Sequence, residues 1–215
     1  MYRLEGTTPS RVLSLQTGNT QGLDSIDHRL RDNMQGFLHD TWLSRQKDEW
    51  LTPPEIIRAL GPFDLDPCAP VKRPWDTARH HFTIKDNGLI QPWSGRVWLN
   101  PPYGRHTPLW LSRIKRHGNG IALIFARTET KMFFRHIWTD ADGILFLKDR
   151  IGFFHADGTR GGHAGAPLCL VAYGDGNVEA LRNSEIAGVL VTNNRDGLKI
   201  SYSRSRREVS HESSC

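Results

Sequence analysis

A chain of 215 residues, 38% of them hydrophobic, can bury one good core and has no room for a second domain of comparable size. Its formal charge of +5 suits a polyanionic partner such as nucleic acid, although the basic residues are spread along the chain. Cys68, Cys169 and Cys215 form neither an even disulfide framework nor a zinc-spaced pattern, no apolar run approaches a bilayer span, and the N-terminus shows no cleavable apolar leader. The expectation is a soluble protein with reduced thiols in a cytoplasm, with no membrane partner and no metal.

Residues 1 to 23 are rich in Thr, Gly, Ser and Gln, without a period, and read as an irregular arm. From Asp24 to about Leu43, Ile26, Leu30, Met34, Phe37 and Leu38 fall at helical spacing, with Asp24 or Ser25 as cap. Thr52 is next placed as the N-cap of a helix through Ile56, Ile57 and Leu60, with Pro53 as its first residue and Glu55 reaching back as a capping-box carboxylate.

Phe63 to Asp66 is a short alternating strand that ends in the acidic, Pro-broken loop Asp66-Pro67-Cys68-Ala69-Pro70. In doubly wound sheets ligands sit beyond the strand carboxyl ends, so Asp66 is placed for a cationic or hydroxyl-bearing cofactor; a turn carboxylate capping its own loop is the alternative. No G-x-G-x-x-G occurs, which argues for a cofactor that needs no phosphate cradle. The basic, aromatic stretch from Val71 to Ile84 holds His80 and His81, whose side chains point apart on either regular element and so suggest no metal. Asp86-Asn87-Gly88-Leu89 reads as a turn that puts Asp86 near a further strand end.

The apolar strand Arg96 to Leu99 then runs without a spacer into Asn100-Pro101-Pro102-Tyr103-Gly104. Two prolines fix their own φ angles and remove N–H donors, leaving carbonyl oxygens to face a ligand. Asn100 adds an amide oxygen and Tyr103 a flat amphipathic ring. That set suits a planar amino group on a purine ring. Acceptors on its two hydrogens favour a more tetrahedral, nucleophilic nitrogen while the ring stacks on the aromatic.

Beyond it, residues from Pro108 to His117 read as a helix stopped by Gly118 to Gly120, and Ile121 to Ala126 as a buried parallel strand. After Arg127-Thr128-Glu129-Thr130 comes a helix-like stretch from Lys131 to Trp138, then a strand from Gly143 to Leu147. Ile151 to Phe154 and Pro167 to Tyr173 are candidate antiparallel strands around a flexible, glycine-rich loop from His155 to Gly165. Val178 to Ser184 reads as a short helix, Gly188 to Thr192 as a last apolar segment, and Ser201 to Cys215 as a Ser/Arg tail.

Together, Asp48-Glu49-Trp50-Leu51-Thr52-Pro53-Pro54, Phe63 to Ala69, Asp86-Asn87-Gly88-Leu89 with Trp93, Asn100 to Gly104 and Ala126 to Lys131 resemble the phage-type DNA adenine-N6 methyltransferases of the Dam group, over about Asp48 to Tyr173. The resemblance implies a Rossmann-like α/β fold of the S-adenosylmethionine-dependent methyltransferases, with a mostly parallel sheet and an antiparallel edge pair. The reading along the chain divides it into an arm and helix over 1–45, a catalytic domain over 46–200 and a tail over 201–215. The resemblance also implies S-adenosylmethionine as cofactor, with Thr52, Pro53, Asp66, Pro67, Cys68, Asp86 and Asn100 around it. Asn100, Pro101, Pro102 and Tyr103 would hold the target adenine, flipped out of double-stranded DNA and methylated by direct displacement. The span from Asp66 to Asn100 leaves no room for an inserted recognition domain, so DNA contact falls to loops or termini, with Arg127, Arg150 and Arg160 as candidates. A glutamine-amide methyltransferase and an inactive DNA-binding module of the same fold are the alternatives.

Overall fold

The computed structural model describes residues 50–194 and 197–203, all within Arg45–Cys215, the second of two units into which the chain divides. The arm and helix expected before residue 45 lie outside the described residues. In chain order the elements are β1 (Trp50–Leu51), α1 (Pro54–Leu60), β2 (Leu65–Asp66), β3 (His80–His81), β4 (Val97–Leu99), α2 (Thr107–His117) and β5 (Gly120–Phe125). They continue with α3 (Lys131–Phe133), the π-helical turn Phe134–Trp138, β6 (Gly143–Leu147), β7 (Gly152–His155), β8 (Arg160–His163), β9 (Leu168–Tyr173), α4 (Asp175–Asn183), β10 (Gly188–Asn194) and β11 (Gly197–Ser203).

The α/β class is as expected, but the sheet is mixed. Its eight strands run in the order β11-β10-β6-β9-β5-β4-β2-β3; β3, β2, β4 and β5 pair in parallel, and every pair from β5 to β11 is antiparallel. The antiparallel part is therefore not an edge pair. It arises because β9 is threaded between β5 and β6, which point the same way, so that it opposes both and needs no crossover helix. Nor do the stretches from Ile151 and Pro167 pair with each other: β9 is central in this sheet, whereas β7 lies between β1 and β8 in a separate three-stranded sheet. The stretch expected as a tail carries strand as far as Ser203.

Continuous apolar runs make the centre. All of β4 and β9 is buried, as is β5 from Gly120 to Ile124, and period-two alternation sorts their side chains to two faces. Trp98, Ile121, Leu123, Leu145, Leu170 and Leu190 form one core with Leu60 of α1, Val178 and Leu181 of α4, and Phe153 of β7. On the opposite face α2 approaches so closely that a Cβ at Gly120 would lie 3.1 Å from Ile114 Cδ1, and Tyr173 Oη donates to His136 O at 3.0 Å. Arg96 ties the ends together: it donates to Leu60 O (2.6 Å), Pro62 O (3.0 Å) and Asn177 Oδ1 (2.6 Å), and lies 4.3 Å over the Phe63 ring.

Three local expectations are corrected. The helix from Lys131 keeps one α-turn, capped by Thr130 Oγ1 on Phe133 N at 3.2 Å, and then widens into the π turn, where Trp138 Nε1 donates to Thr128 O at 3.2 Å. Thr52 does not cap α1: Pro53 occupies that position without a side-chain bond, because β1 pairs with β7 and carries Thr52 into the interior. The glycine-rich stretch after His155 is a β-hairpin instead of a loop. Its tip is closed by Asp157 Oδ1, which accepts from Thr159 N at 2.9 Å and Thr159 Oγ1 at 2.6 Å. Gly161 is required because the Trp50 ring crosses it; a Cβ there would lie 2.5 Å from Cζ3.

The chain goes from β2 to β3 on one side and then back across to β4 on the other, so the carboxyl ends of β2 and β4 flank a topological switch point. The turn through Gly88 packs onto the loop beyond β2, where a Cβ at residue 88 would lie 1.8 Å from Pro67 O. Gly88→Ala is expected to lower stability by about 1–3 kcal/mol in urea unfolding, the scale of an overpacked contact that backbone must relieve; an unchanged midpoint would show that this loop is free to shift.

Candidate active site

At the switch point, Asp66 ends β2 and Asn100 follows β4 on the neighbouring strand. Asp66 is only 3% exposed. Its Oδ1 accepts from Cys68 N at 3.0 Å, the loop-capping bond the sequence allows, and its Oδ2 accepts from Thr77 Oγ1 at 2.5 Å. Burial pushes the carboxyl up to about 6, against these two donors and the nearby Arg73 cation. Two bonds leave acceptor capacity on both oxygens for a ligand donor.

Asn100 is held from both sides. Its Nδ2 donates to Trp50 O at 3.1 Å, its backbone carbonyl accepts from Cys68 Sγ at 3.1 Å, and Oδ1, the acceptor end, accepts from Tyr103 Oη at 3.5 Å and keeps a second lone pair. Burial and the Asp66 carboxylate push the Cys68 thiol well up, so it remains a neutral donor. Pro101 is buried, and Pro102 and Tyr103 are half-buried. One expected free carbonyl is taken: Pro102 O accepts from Thr107 Oγ1 at 2.9 Å, a bond that pins the start of α2 to the turn. The one Tyr103 hydroxyl proton is shared between Asn100 Oδ1 and Leu123 O, the latter at 3.4 Å, and the Tyr103 ring packs on Phe125 with centroids 4.1 Å apart. Burial raises the phenol out of reach of ionisation near neutral pH.

Thr52 and Pro53 are buried and follow Trp50, whose carbonyl holds Asn100, and Trp75 Nε1 donates to Thr52 O at 3.2 Å. Thr52 Oγ1 has no hydrogen-bond partner among the described residues although the residue is only 2% exposed. A buried hydroxyl without a partner is costly, and a polar ligand would satisfy it. With the Asp66 carboxylate it gives a hydrogen-bonding set that suits hydroxyl, amino and cationic groups of a bound cofactor. Pro67 is buried behind Asp66. Asp86 differs: it is exposed, and its carboxylate accepts from Thr83 N and Thr83 Oγ1, both at 2.8 Å, bonds that hold its pKa below the usual carboxylate range. The structure thus brings Thr52, Pro53, Asp66, Pro67, Cys68 and the Asn100 turn together, and gives Asp86 a job within its own turn.

Arg127, Arg150 and Arg160 are all exposed. Arg127 lies 5.6 Å from the centre of the Phe125 ring, the ring that also packs on Tyr103. Arg150 donates to Ala164 O at 3.3 Å, and Arg160 lies 5.8 Å over Phe154. Among the described residues no group of three or more His, Cys, Asp or Glu is placed to hold a metal, and no helix is long and apolar enough to cross a membrane.

Three supports were not legible in the sequence. Trp50 enters through its backbone carbonyl, which any residue carries, so nothing in its identity marks the role. Thr77 anchors Asp66 across an irregular stretch, and His81 accepts the N–H groups of Thr77 and Ala78, each at 3.3 Å, holding that stretch in place. The imidazole does this in its neutral form, which partial burial favours.

The family model of DNA N-6-adenine-methyltransferase (Dam) matches residues 40–189, more than half of the chain. A DNA N-6-adenine-methyltransferase of Escherichia phage T1 is 27% identical over 111 residues, which are 47% of this chain and 45% of that protein. The chain thus spans less than half the length of the relative it matches, and no solved structure matches. The matched residues include β1, the Asp66 loop and the whole Asn100 to Tyr103 turn. The chain belongs to the Dam family of DNA N-6-adenine-methyltransferases.

Proposed function

We propose that this chain methylates the N6 amino group of adenine in double-stranded DNA, with S-adenosylmethionine as donor. The observation that carries the reading is the orientation of Asn100: Trp50 O takes its amide N–H, so Oδ1 is presented as an acceptor beside the Tyr103 ring. Asn100 Oδ1 and the Pro101 carbonyl accept the two amine hydrogens and draw the nitrogen toward a tetrahedral, nucleophilic shape. Tyr103 stacks on the base and, backed by Phe125, holds it in register. The amine is paired within a duplex, so the adenine must leave the stack to meet these groups. Thr52, Pro53, Asp66, Pro67 and Cys68 would hold the donor, which supplies an electrophilic methyl group on a sulfonium. Arg127, 5.6 Å from the centre of the Phe125 ring that packs on Tyr103, would meet the phosphate of the extruded nucleotide.

Labelled S-adenosylmethionine offered with DNA, RNA and protein side by side tests the acceptor, and label is expected in DNA adenine alone. Asn100→Ala should lower methyl transfer about a hundredfold or more while leaving donor binding within a few-fold, the scale of a lost transition-state hydrogen bond; full activity in that variant would remove the assignment. For Asp66 the sign follows from its raised pKa. A cationic donor favours the carboxylate, so binding must take the proton off below about pH 6, and calorimetric affinity should tighten from pH 5 to 7 and level off above. Asp66→Asn should bind more weakly and lose that pH dependence; a flat wild-type profile would move the donor elsewhere. Arg127→Ala should weaken DNA binding for all sequences alike and reduce the salt slope by about one charge, whereas an unchanged slope would take Arg127 off the DNA.

A further inference from the structure

A cavity of about 320 Å3 opens between the first turn of α1, the β7–β8 hairpin, the carboxyl end of β6 and the residues leading into β10; Pro53 borders it, and neither Asp66, Asn100 nor Tyr103 lines it. Its exposed lining is more polar than apolar, and apolar side chains back it from below: Ile151 and Phe153 are buried, and Ile56 and Ile186 pack against the same core. Its rim carries Glu55, Asp149, Arg150, Arg160 and His163, all exposed. Opposite charges around one cavity usually find each other, yet among the described residues no salt bridge joins any two of these five. The two arginines are instead steadied by the protein, Arg150 on Ala164 O and Arg160 on the Phe154 ring.

A simple anion would meet two carboxylates here, and a simple cation two guanidiniums. A ligand with an anionic group at one end and amino or ring N–H donors at the other satisfies both, and the apolar side chains beneath suit a flat ring between them. A nucleotide has that chemistry, and the volume stands at the small end of ligand sites, about 300–1,000 Å3. We propose that the cavity is a second nucleotide site, separate from the turn that holds the target adenine. Arg150 and Arg160 hold the phosphate through charge-assisted bonds, and Glu55 or Asp149 accepts from the base edge. The site is joined to the active site through β7: Phe154, under Arg160, meets Trp75 edge-on at 5.1 Å, and His155 is the register partner of Trp50, whose carbonyl orients Asn100. That the nucleotide belongs to the DNA substrate rests on the proposed function; the site itself does not.

The test compares the full-length wild type with Ala187→Phe, which fills the cavity from its lining, and with Arg160→Glu, an exposed change that stands in should the first variant fail to fold. One arm titrates the four deoxynucleoside 5′-monophosphates by calorimetry. The other measures fluorescence anisotropy on duplexes carrying a single abasic site at each position around a methylated adenine. In the wild type one abasic position should weaken binding about tenfold, the scale of a lost base contact, and that loss should vanish in the variants. Monophosphate binding that the variants abolish, with a flat abasic scan, keeps the site and assigns it to free nucleotide. Wild type and variants alike in both arms overturn the proposal. Failure of the wild type to methylate any DNA, with monophosphate binding intact, overturns the function and leaves the site standing.

Discussion

Everything at the switch point depends on Asn100 being gripped by two segments distant in sequence. Its side-chain N–H is committed to Trp50 O and its backbone carbonyl to the Cys68 thiol, so β1, the loop after β2 and the turn after β4 are closed on one residue. A primary amide has one acceptor and one donor end, and fixing the donor end decides where the acceptor points. The prolines that follow stiffen the backbone, and Thr107 on Pro102 O attaches the turn to α2.

The small three-stranded sheet explains itself in relation to that grip. Two-residue β1 has little stability of its own, and it is held by β7 and by the Trp50 ring, which lies across Gly161 and 5.0 Å from His155. Glycine in β8 is therefore a packing requirement. The tip of the same hairpin rests on Pro74, 3.0 Å from where a Cβ at Gly158 would stand, next to Trp75 and Thr77, which bond to Thr52 and Asp66. Hairpin, basic-aromatic segment and the Thr52 and Asp66 positions thus form one connected support.

Thr52, Asp66, Thr77 and Thr107 are buried polar residues at this end of the sheet. A carboxylate raised to about 6 and a threonine hydroxyl with no partner among the described residues are features a structural core would avoid. Local rules fail most often where function requires it. Thr52 illustrates the point: by sequence it is a good helix cap, and the fold denies it that bond and buries it instead.

The sequence by itself determined the alternation of buried strands and helices, the acidic strand end at Asp66 and the rigid Asn100 to Tyr103 turn. These are local: apolar periodicity, proline stereochemistry and side-chain inventory act within a few residues. It also carried the family resemblance, since the motifs are contiguous. Only the tertiary structure decided that β9 runs between β5 and β6, because strand order depends on pairings between residues far apart in the chain. The same holds for the hairpin read as a loop: its glycines look like flexibility until the Trp50 ring is placed across them. Trp50, Thr77 and His81 support the site through single bonds to distant backbone or to a carboxylate, and no spacing rule connects those positions before the chain has folded.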